Sequence, residues 1–222
     1  MNKDEKKETF NEKLAGYVDK RAKILIGVLV AIVVLFVAYC ISFIVIQNNN
    51  KKGIESVDTI EFKLTDGSES LSDEEVEERK NVALESLNSF MKKGGVTGVR
   101  ANMLAAEIYY SRKDYKNSAE CYKLAAQKGK KSYTAPICNY YAAVSYENVG
   151  NLDEALAFYK KAADFDTFVK SSHAKFSYAR ILESKGNLEE AKKVYQDLVD
   201  NNSGDTWADV AKTRLLYLDF SK

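Results

Sequence analysis

The most constraining feature of the sequence is a run of 23 residues, Ile24 to Ile46, without a charged side chain. The whole chain has 33 basic and 32 acidic residues. The only polar residues in the run are Tyr39, Cys40 and Ser42. A helix rises about 1.5 Å per residue, so this run can cross a hydrocarbon core about 30 Å thick. We therefore predict a transmembrane helix over residues 24–46.

Two kinds of cleaved signal compete with this prediction. A signal peptide has an apolar region of about 7–15 residues followed by a small-x-small cleavage site. The run is longer than that, and it ends at the polar segment Gln47–Lys51. A lipoprotein signal would end at Cys40, but the large Tyr39 stands where such a site needs a small residue. The sequence therefore favours an uncleaved anchor.

Basic residues flank the span unequally. Residues 1–23 contain seven lysines and arginines, whereas Lys51 and Lys52 are the basic residues nearest to the other end. Because basic flanks tend to stay in the cytoplasm, we expect residues 1–23 to form a cytoplasmic tail and the C-terminal domain to be extracytoplasmic. Apolar residues at helical spacing between Phe10 and Val18 predict a helix that begins before the membrane.

Polar runs at both ends of residues 47–71 predict a tether between the span and the following domain. Within it, Ile60, Phe62 and Leu64 alternate with charged residues, which is typical of a short β-strand. Ser72 and Glu75 then have the spacing of a capping box. They predict a helix from Ser72 to about Lys92.

The sequence that follows repeats itself. The segments KDYKNSAECYKLA, GNLDEALAFYKKA and GNLEEAKKVYQDL begin at Lys113, Gly150 and Gly186, at offsets of 37 and 36 residues. Small residues and tyrosines recur at matching positions: Ala105–Ala106, Ala142–Ala143 and Ala179; Ser118 or Ala119, Ala155 and Ala191; Tyr122, Tyr159 and Tyr195. We predict three helix-turn-helix units at about residues 99–132, 136–169 and 172–205, and a capping helix over residues 206–220.

These units resemble tetratricopeptide repeats, whose period is about 34 residues. The resemblance covers about residues 97–203. It departs from the family at the end of each unit, where the family usually has a proline and this chain has none; Pro136 instead falls near the first turn of a helix. The resemblance implies an all-α fold, with the transmembrane helix followed by a tetratricopeptide-repeat domain over residues 72–222 and capping helices at its ends.

In this family the first helices of the repeats line a concave groove that binds polypeptides. The matching positions here are Arg100, Met103, Leu104, Glu107, Tyr110, Ile137, Tyr140, Tyr141, Val144, Glu147, His173, Phe176, Ser177, Arg180 and Glu183. This apolar and aromatic set suits an extended or helical peptide. Met103 and Glu107 stand where some members carry the Lys and Asn of a carboxylate clamp. Packing of Tyr140 and Tyr141 against neighbouring helices remains the alternative.

The sequence lacks the patterns of catalytic and metal sites. His173 is the only histidine, so any zinc site or Ser-His-Asp arrangement would depend on it alone. Cys40, Cys121 and Cys138 have no CxxC spacing; we interpret Cys121 and Cys138 as small buried residues, with a disulfide as the alternative. A net charge of +1 offers no basic excess for nucleic acid. We predict a non-enzymatic protein without a cofactor or metal.

The layout, with EKLAGYVDKRAKILIGVLVAIVV ahead of a repeat domain, resembles the YfgM-like family of ancillary Sec-translocon subunits. These are single-pass proteins of the bacterial inner membrane with a periplasmic tetratricopeptide domain. The resemblance implies partners among translocon subunits, envelope chaperones or unfolded secreted chains. Two alternatives remain open: an envelope-assembly or cell-division scaffold, and an organelle import receptor with cytosolic repeats.

Overall fold

The computed structural model describes residues 10–202 and 204–220, and within residues 10–20 it describes the side chain of Tyr17 alone. The first nine residues of the predicted cytoplasmic tail lie outside the described residues. The helices are α1 (Phe10–Thr65), α2 (Asp73–Met91), α3 (Gly95–Ser111), α4 (Tyr115–Lys128), α5 (Ala135–Val149), α6 (Leu152–Ala163), α7 (Ser171–Ser184), α8 (Leu188–Asn201) and α9 (Thr206–Phe220). A short 3-10 turn, Ser68–Ser70, follows α1. The predicted all-α fold is confirmed.

The chain divides into two compact units, with the boundary between Lys51 and Lys52. The described residues of the first unit belong to α1 and include the predicted span. The apolar side chains of the span are exposed, with Leu35 at 70% and Ile44 at 66%. Among the described residues, α1 is the one helix long and apolar enough to cross a membrane, by length and composition alone.

Residues 47–65 are helical, so the prediction of a tether containing a short strand is wrong for this stretch. The alternation of apolar and charged residues suggested a strand, but two of the apolar residues lie on one face of a helix. Ile60 and Leu64, four residues apart, pack against the hydrophobic core, whereas Phe62 between them is 62% exposed. Val57 lies on the same face and is 1% exposed. The end of α1 therefore belongs to the core of the second unit.

Within this unit, the end of α1 packs against both α2 and α3. Gly53 allows the approach to α3, because a Cβ atom there would lie 2.6 Å from Thr97 Oγ1. Arg79 of α2 donates hydrogen bonds to the carbonyl oxygens of Lys63 at 3.2 Å and Asp66 at 2.5 Å. These bonds satisfy carbonyl groups that the end of a helix leaves without a helical partner.

The predicted capping box begins α2. Ser72 N donates to Glu75 Oε2 at 2.9 Å, and Glu75 N donates to Ser72 Oγ at 3.3 Å. Accepting hydrogen bonds from the Ser72 backbone and side chain lowers the pKa of the Glu75 carboxyl below its ordinary value. The helix ends at Met91, one residue before the predicted end.

The pairs α3–α4, α5–α6 and α7–α8 are the three predicted helix-turn-helix units. Small side chains stand where the helices meet, and this allows a close approach of the helix axes. Tyr122, Tyr159 and Tyr195 fill the adjacent space and are 4%, 3% and 0% exposed. The alanines at the matching repeat positions have no exposed surface: Ala105, Ala106, Ala119, Ala142, Ala143, Ala155, Ala179 and Ala191.

The last helix, α9, packs against the third unit, and its bounds agree with the predicted capping helix. Ala208 and Ala211 are buried, and Trp207 packs against the core. Leu215 and Leu218 also pack against the core. Val210, which lies between the two buried alanines in the sequence, is 40% exposed.

Gly98 generates the first testable prediction. A Cβ atom at this position would lie 1.9 Å from the carbonyl oxygen of Lys93, so the backbone between α2 and α3 would have to move. We expect Gly98→Ala to lower the free energy of unfolding by about 1–3 kcal/mol, as overpacking does. Thermal unfolding followed by circular dichroism measures this loss.

Gly94→Ala is the matched control, because a Cβ atom at Gly94 meets nothing within 4 Å. The control should change the free energy of unfolding by less than about 1 kcal/mol. Equal losses for the two variants would contradict the close approach at Gly98.

Candidate binding groove

The predicted groove positions differ in their exposure. Leu104, Tyr140 and Phe176 are buried, at 6%, 5% and 9% exposure. These three belong to the core of the repeats, so a ligand would contact the other positions. Ser177 is also buried; the half-buried set is Arg100, Met103, Ile137, Tyr141, Val144, Glu147, His173 and Glu183, and the exposed set is Glu107, Tyr110 and Arg180.

Tyr140 is the centre of an aromatic cluster. Its ring centroid lies 5.2 Å from that of Tyr141, 5.9 Å from those of Tyr159 and Phe168, and 5.5 Å from that of His173. Burial raises the pKa of the Tyr140 hydroxyl to about 12. For Tyr140 the structure therefore favours the alternative of packing against neighbouring helices.

His173 joins α5 to α9 through two contacts. Its Nδ1 atom shares a 2.7 Å hydrogen bond with the Tyr140 hydroxyl, and its ring stacks on Trp207 with centroids 3.9 Å apart. Burial lowers the pKa of His173 below its ordinary 6.5, and the positive charges of Lys170 and Arg180 lower it further. His173 is therefore a neutral structural side chain at pH 7.

Lys170, in the connection between α6 and α7, covers part of the aromatic cluster. Its Nζ atom lies 5.0 Å and 4.9 Å from the ring centroids of Tyr140 and Tyr141, distances at which cation–π attraction operates. The same Nζ donates a hydrogen bond to the Tyr141 hydroxyl at 3.0 Å. On its other side, Tyr141 stacks on Tyr122 with centroids 5.5 Å apart.

Glu147, near the end of α5, accepts hydrogen bonds from two neighbouring helices. The hydroxyl of Tyr159 on α6 donates to Glu147 Oε2 at 2.9 Å. Arg180 Nη2 on α7 donates to Glu147 Oε1 at 2.5 Å. The carboxylate thus links its own helix pair to the next one.

The same arrangement recurs at Glu183 on α7. The Tyr195 hydroxyl on α8 donates to Glu183 Oε2 at 3.1 Å, and Arg214 Nε on α9 donates to the same atom at 2.9 Å. The hydrogen bonds from Arg214 lower the pKa of the Glu183 carboxyl. We call this repeated tyrosine–glutamate–arginine arrangement the polar ladder.

The polar ladder is missing between α3 and α5. Tyr110 takes the place of the glutamate, 37 residues before Glu147, and Val144 takes the place of the arginine, 36 residues before Arg180. Tyr110 is 37% exposed, and Val144 and the neighbouring Tyr141 are half-buried. We call Tyr110, Tyr141 and Val144 the apolar gap, because apolar surface stands there in place of an ion pair.

Carboxylates lie beside the first groove helix. Arg100 pairs with Asp58 Oδ1 at 2.7 Å and with Glu61 Oε2 at 3.3 Å, both on α1. Further along α3, desolvation by the surrounding protein and then the Glu61 carboxylate raise the pKa of Glu107. Because Arg100 is already paired with two carboxylates and Glu107 lies near one of them, this part of the groove favours a ligand group that is basic or neutral.

Nothing in the described residues forms a group of three or more His, Cys, Asp or Glu side chains that could hold a metal ion. Cys121 and Cys138 are free thiols. Burial raises their pKa values to about 11 and about 12, so both stay protonated at neutral pH. They serve as small buried residues in the helix packing.

Several groups of the groove were absent from the sequence prediction. Arg214 had a detectable signal, because it follows Arg180 by 34 residues, close to the repeat period. Asp58 and Glu61 were hidden by the interpretation of their segment as a tether. Lys170 lies in a connection without periodicity, so no pattern pointed to its contact with the tyrosines.

The environment of His173 generates the second prediction. We expect its pKa, measured by NMR on the only imidazole of the chain, to lie below the 6.5 of an unperturbed histidine. Lys170→Gln should raise it, because one nearby positive charge is removed. Since the unfolded chain binds this proton more readily, native stability is full above about pH 6.5 and falls as the pH drops below it. A pKa above 6.5 in the native protein would contradict the buried stacking position.

Comparison with known proteins agrees with the repeat architecture. The tetratricopeptide repeat family model matches residues 142–206. A TPR repeat-containing protein of Treponema pallidum (strain Nichols) is 27% identical over 133 residues, which are 60% of this chain and 56% of that protein. The match thus spans little more than half the length of this relative.

Two crystal structures of nearly identical TPR-like repeats from a Podosopora anserina putative kinesin light chain share the fold. Each is 11% identical to this chain and covers 74% of it, with 83% of the solved chain covered; the TM-scores are 0.54 and, for a variant form of the same repeats, 0.55. The family match over residues 142–206, the related repeat protein and the shared fold together show that the repeat region of this chain is similar to tetratricopeptide repeats.

Proposed function

We propose that this chain is a membrane-anchored protein-binding module that acts beside the Sec translocon on secreted or envelope polypeptides or their chaperones. The apolar gap in the concave groove is the observation that carries the protein-binding part of this proposal. The anchor and the location are proposed from the sequence and from its resemblance to the YfgM-like family.

The anchor is residues 24–46 of α1. This run of 23 uncharged residues is about 35 Å long as a helix, enough for the hydrocarbon core with some tilt. The greater number of basic residues ahead of the span supports an N-terminus in the cytoplasm and repeats on the extracytoplasmic side. An anchored groove is confined near the membrane, which raises its effective concentration for polypeptides that emerge there.

The groove offers a partner one apolar surface between charged ones. Arg180 and Arg214 are occupied by Glu147 and Glu183, so the later repeats present ion pairs that are already satisfied. The apolar gap contains no ion pair; Lys170 contacts its Tyr141, and its Tyr110 ring is 37% exposed. Aromatic side chains of this kind bury large area against an apolar residue of a bound peptide. We assign the apolar gap to an apolar anchor residue of the partner.

Sidedness is tested by reporter fusion. A reporter that is active only outside the cytoplasm, fused after Lys222, should be active in a bacterial host, because the greater basic charge ahead of the span holds residues 1–23 inside. The matched fusion after Lys23, ahead of the span, should be inactive. An active reporter at Lys23 with an inactive one at Lys222 would overturn the translocon assignment.

Partner binding is tested by site-specific photo-crosslinking. A photoreactive amino acid in place of Tyr110 or Tyr141 should form adducts with translocon subunits or nascent secreted chains in membranes, because both positions border the apolar gap. Leu124, which is 41% exposed on α4 outside the groove, is the matched control position. Equal adducts from Leu124, or none from Tyr110 and Tyr141, would argue against the groove as the binding surface.

A further inference from the structure

The antiparallel helix pairs place the connections of the second unit on two edges. The α2–α3 and α4–α5 connections, residues 92–94 and 129–134, lie on one edge. Gly53 lies on this edge as well, since it packs against Thr97 in the first turn of α3. The α1–α2 connection, residues 66–72, lies on the opposite edge, because α1 runs from Gly53 to Thr65 before it turns.

Lysines and exposed apolar side chains share the edge near Gly53. Tyr133 is 86% exposed and Val96 is 54% exposed, so both present apolar surface to the surroundings. Four of the lysines on this edge are also exposed. We call the set the basic edge; it consists of Lys92, Lys93, Val96, Lys128, Lys130, Lys131 and Tyr133.

Two observations show that the basic edge is one surface. Lys128 Nζ donates a hydrogen bond to the carbonyl oxygen of Lys93 at 2.8 Å, which joins the two connections. A cleft of about 300 Å³ lies between them, and Val96, Lys131 and Tyr133 are among its lining residues. Apolar and basic groups therefore face the same side of the molecule.

The positive charge of this surface is not neutralised locally. Residues 92–106 and 121–146 contain no Asp or Glu. Across residues 10–202 and 204–220, the ion pairs do not involve Lys92, Lys93, Lys130 or Lys131. A surface with four such lysines around an exposed tyrosine is complementary to a negatively charged, partly apolar surface.

We infer that the basic edge binds anionic phospholipid headgroups. The inference rests on the proposed membrane anchor. Six residues, and so seven residue-to-residue steps, separate Ile46, at the end of the span, from Gly53 on this edge. A chain of that length reaches at most about 25 Å, whatever its course, so Gly53 lies within that distance of the end of the proposed span.

The chemistry of the edge matches that of a headgroup layer. Lysines are attracted to anionic lipids over a Debye length of about 8–10 Å at physiological salt. Tyrosine is favoured at the membrane interface, because its ring is apolar and its hydroxyl is polar. An acidic polypeptide would satisfy the lysines equally well, but the short chain between Ile46 and Gly53 favours the lipid surface.

The test uses the full chain in lipid nanodiscs. Tyr133→Cys, in a Cys40→Ala background, carries an environment-sensitive fluorophore; Cys121 and Cys138 stay unlabelled at neutral pH because burial holds their thiols protonated. We expect a blue shift of the emission in discs with phosphatidylglycerol, a smaller one in discs of phosphatidylcholine alone, and reversal at about 0.5 M salt, where charges are screened.

Two controls define the outcome. The label at Glu69→Cys, on the opposite edge, should not respond to the lipid. Replacing Lys92, Lys93, Lys130 and Lys131 with Gln should abolish the response at position 133. The absence of a shift in either disc, or equal shifts in both, would overturn the inference. Binding of soluble polyglutamate by the four lysines, with silent discs, would assign the edge to an acidic protein and also overturn it.

Alkaline carbonate extraction of membranes separates failure of this inference from failure of the proposed function. If the chain stays in the membrane while the label does not respond, the proposed anchor holds and the inferred lipid contact is wrong. Release of the chain by carbonate would overturn the anchor and the lipid contact together.

Discussion

The repeat domain depends on the close approach of its paired helices at alanine positions that have no exposed surface. This approach brings the tyrosines of the second helices across the interface toward the first helices. The rings of Tyr159 and Tyr195 are then buried, while their hydroxyls donate hydrogen bonds to Glu147 and Glu183. The polar ladder is thus a product of the packing, because its hydrogen bonds need the helix axes at that separation.

The packing also decides which groove residues remain for a partner. Rings that reach across an interface, such as those of Tyr140 and Phe176, become part of the core. The charged residues of the later repeats form ion pairs with one another. What remains is the apolar gap, where Tyr110 and Val144 replace two members of the ladder. The repeat that lacks the ladder residues of its neighbours therefore has the surface best suited to bind a partner.

Much of this fold follows from the sequence. The capping box at Ser72, the recurring small residues and the tyrosines at Tyr122, Tyr159 and Tyr195 each depend on local geometry or on a period, and both are visible in one chain. These features predicted the helix pairs and the capping helix α9 to within a few residues.

Other features could not be read from the pattern. Alternation at Ile60, Phe62 and Leu64 fits a strand, but two of these residues are also four apart and fit a helix; the contact of Val57 with the core decides between them. Groove positions carried over from a family indicate which face of a helix a side chain lies on, but not how deeply it is buried. The burial of Tyr140 was therefore not visible in the sequence. The contacts of Lys170 depend on the course of a connection.

The polar ladder makes the response to ionic strength uneven along the stack. The junction of the second pair with the third, and that of the third pair with α9, each contain a partly exposed arginine–glutamate pair, which dissolved salt screens. The junction between the first two pairs has Tyr110 and Val144 at these positions, so it has no arginine–glutamate pair of the ladder for salt to screen. Within the polar ladder, salt therefore acts on the two later junctions and not on the junction that bears the apolar gap.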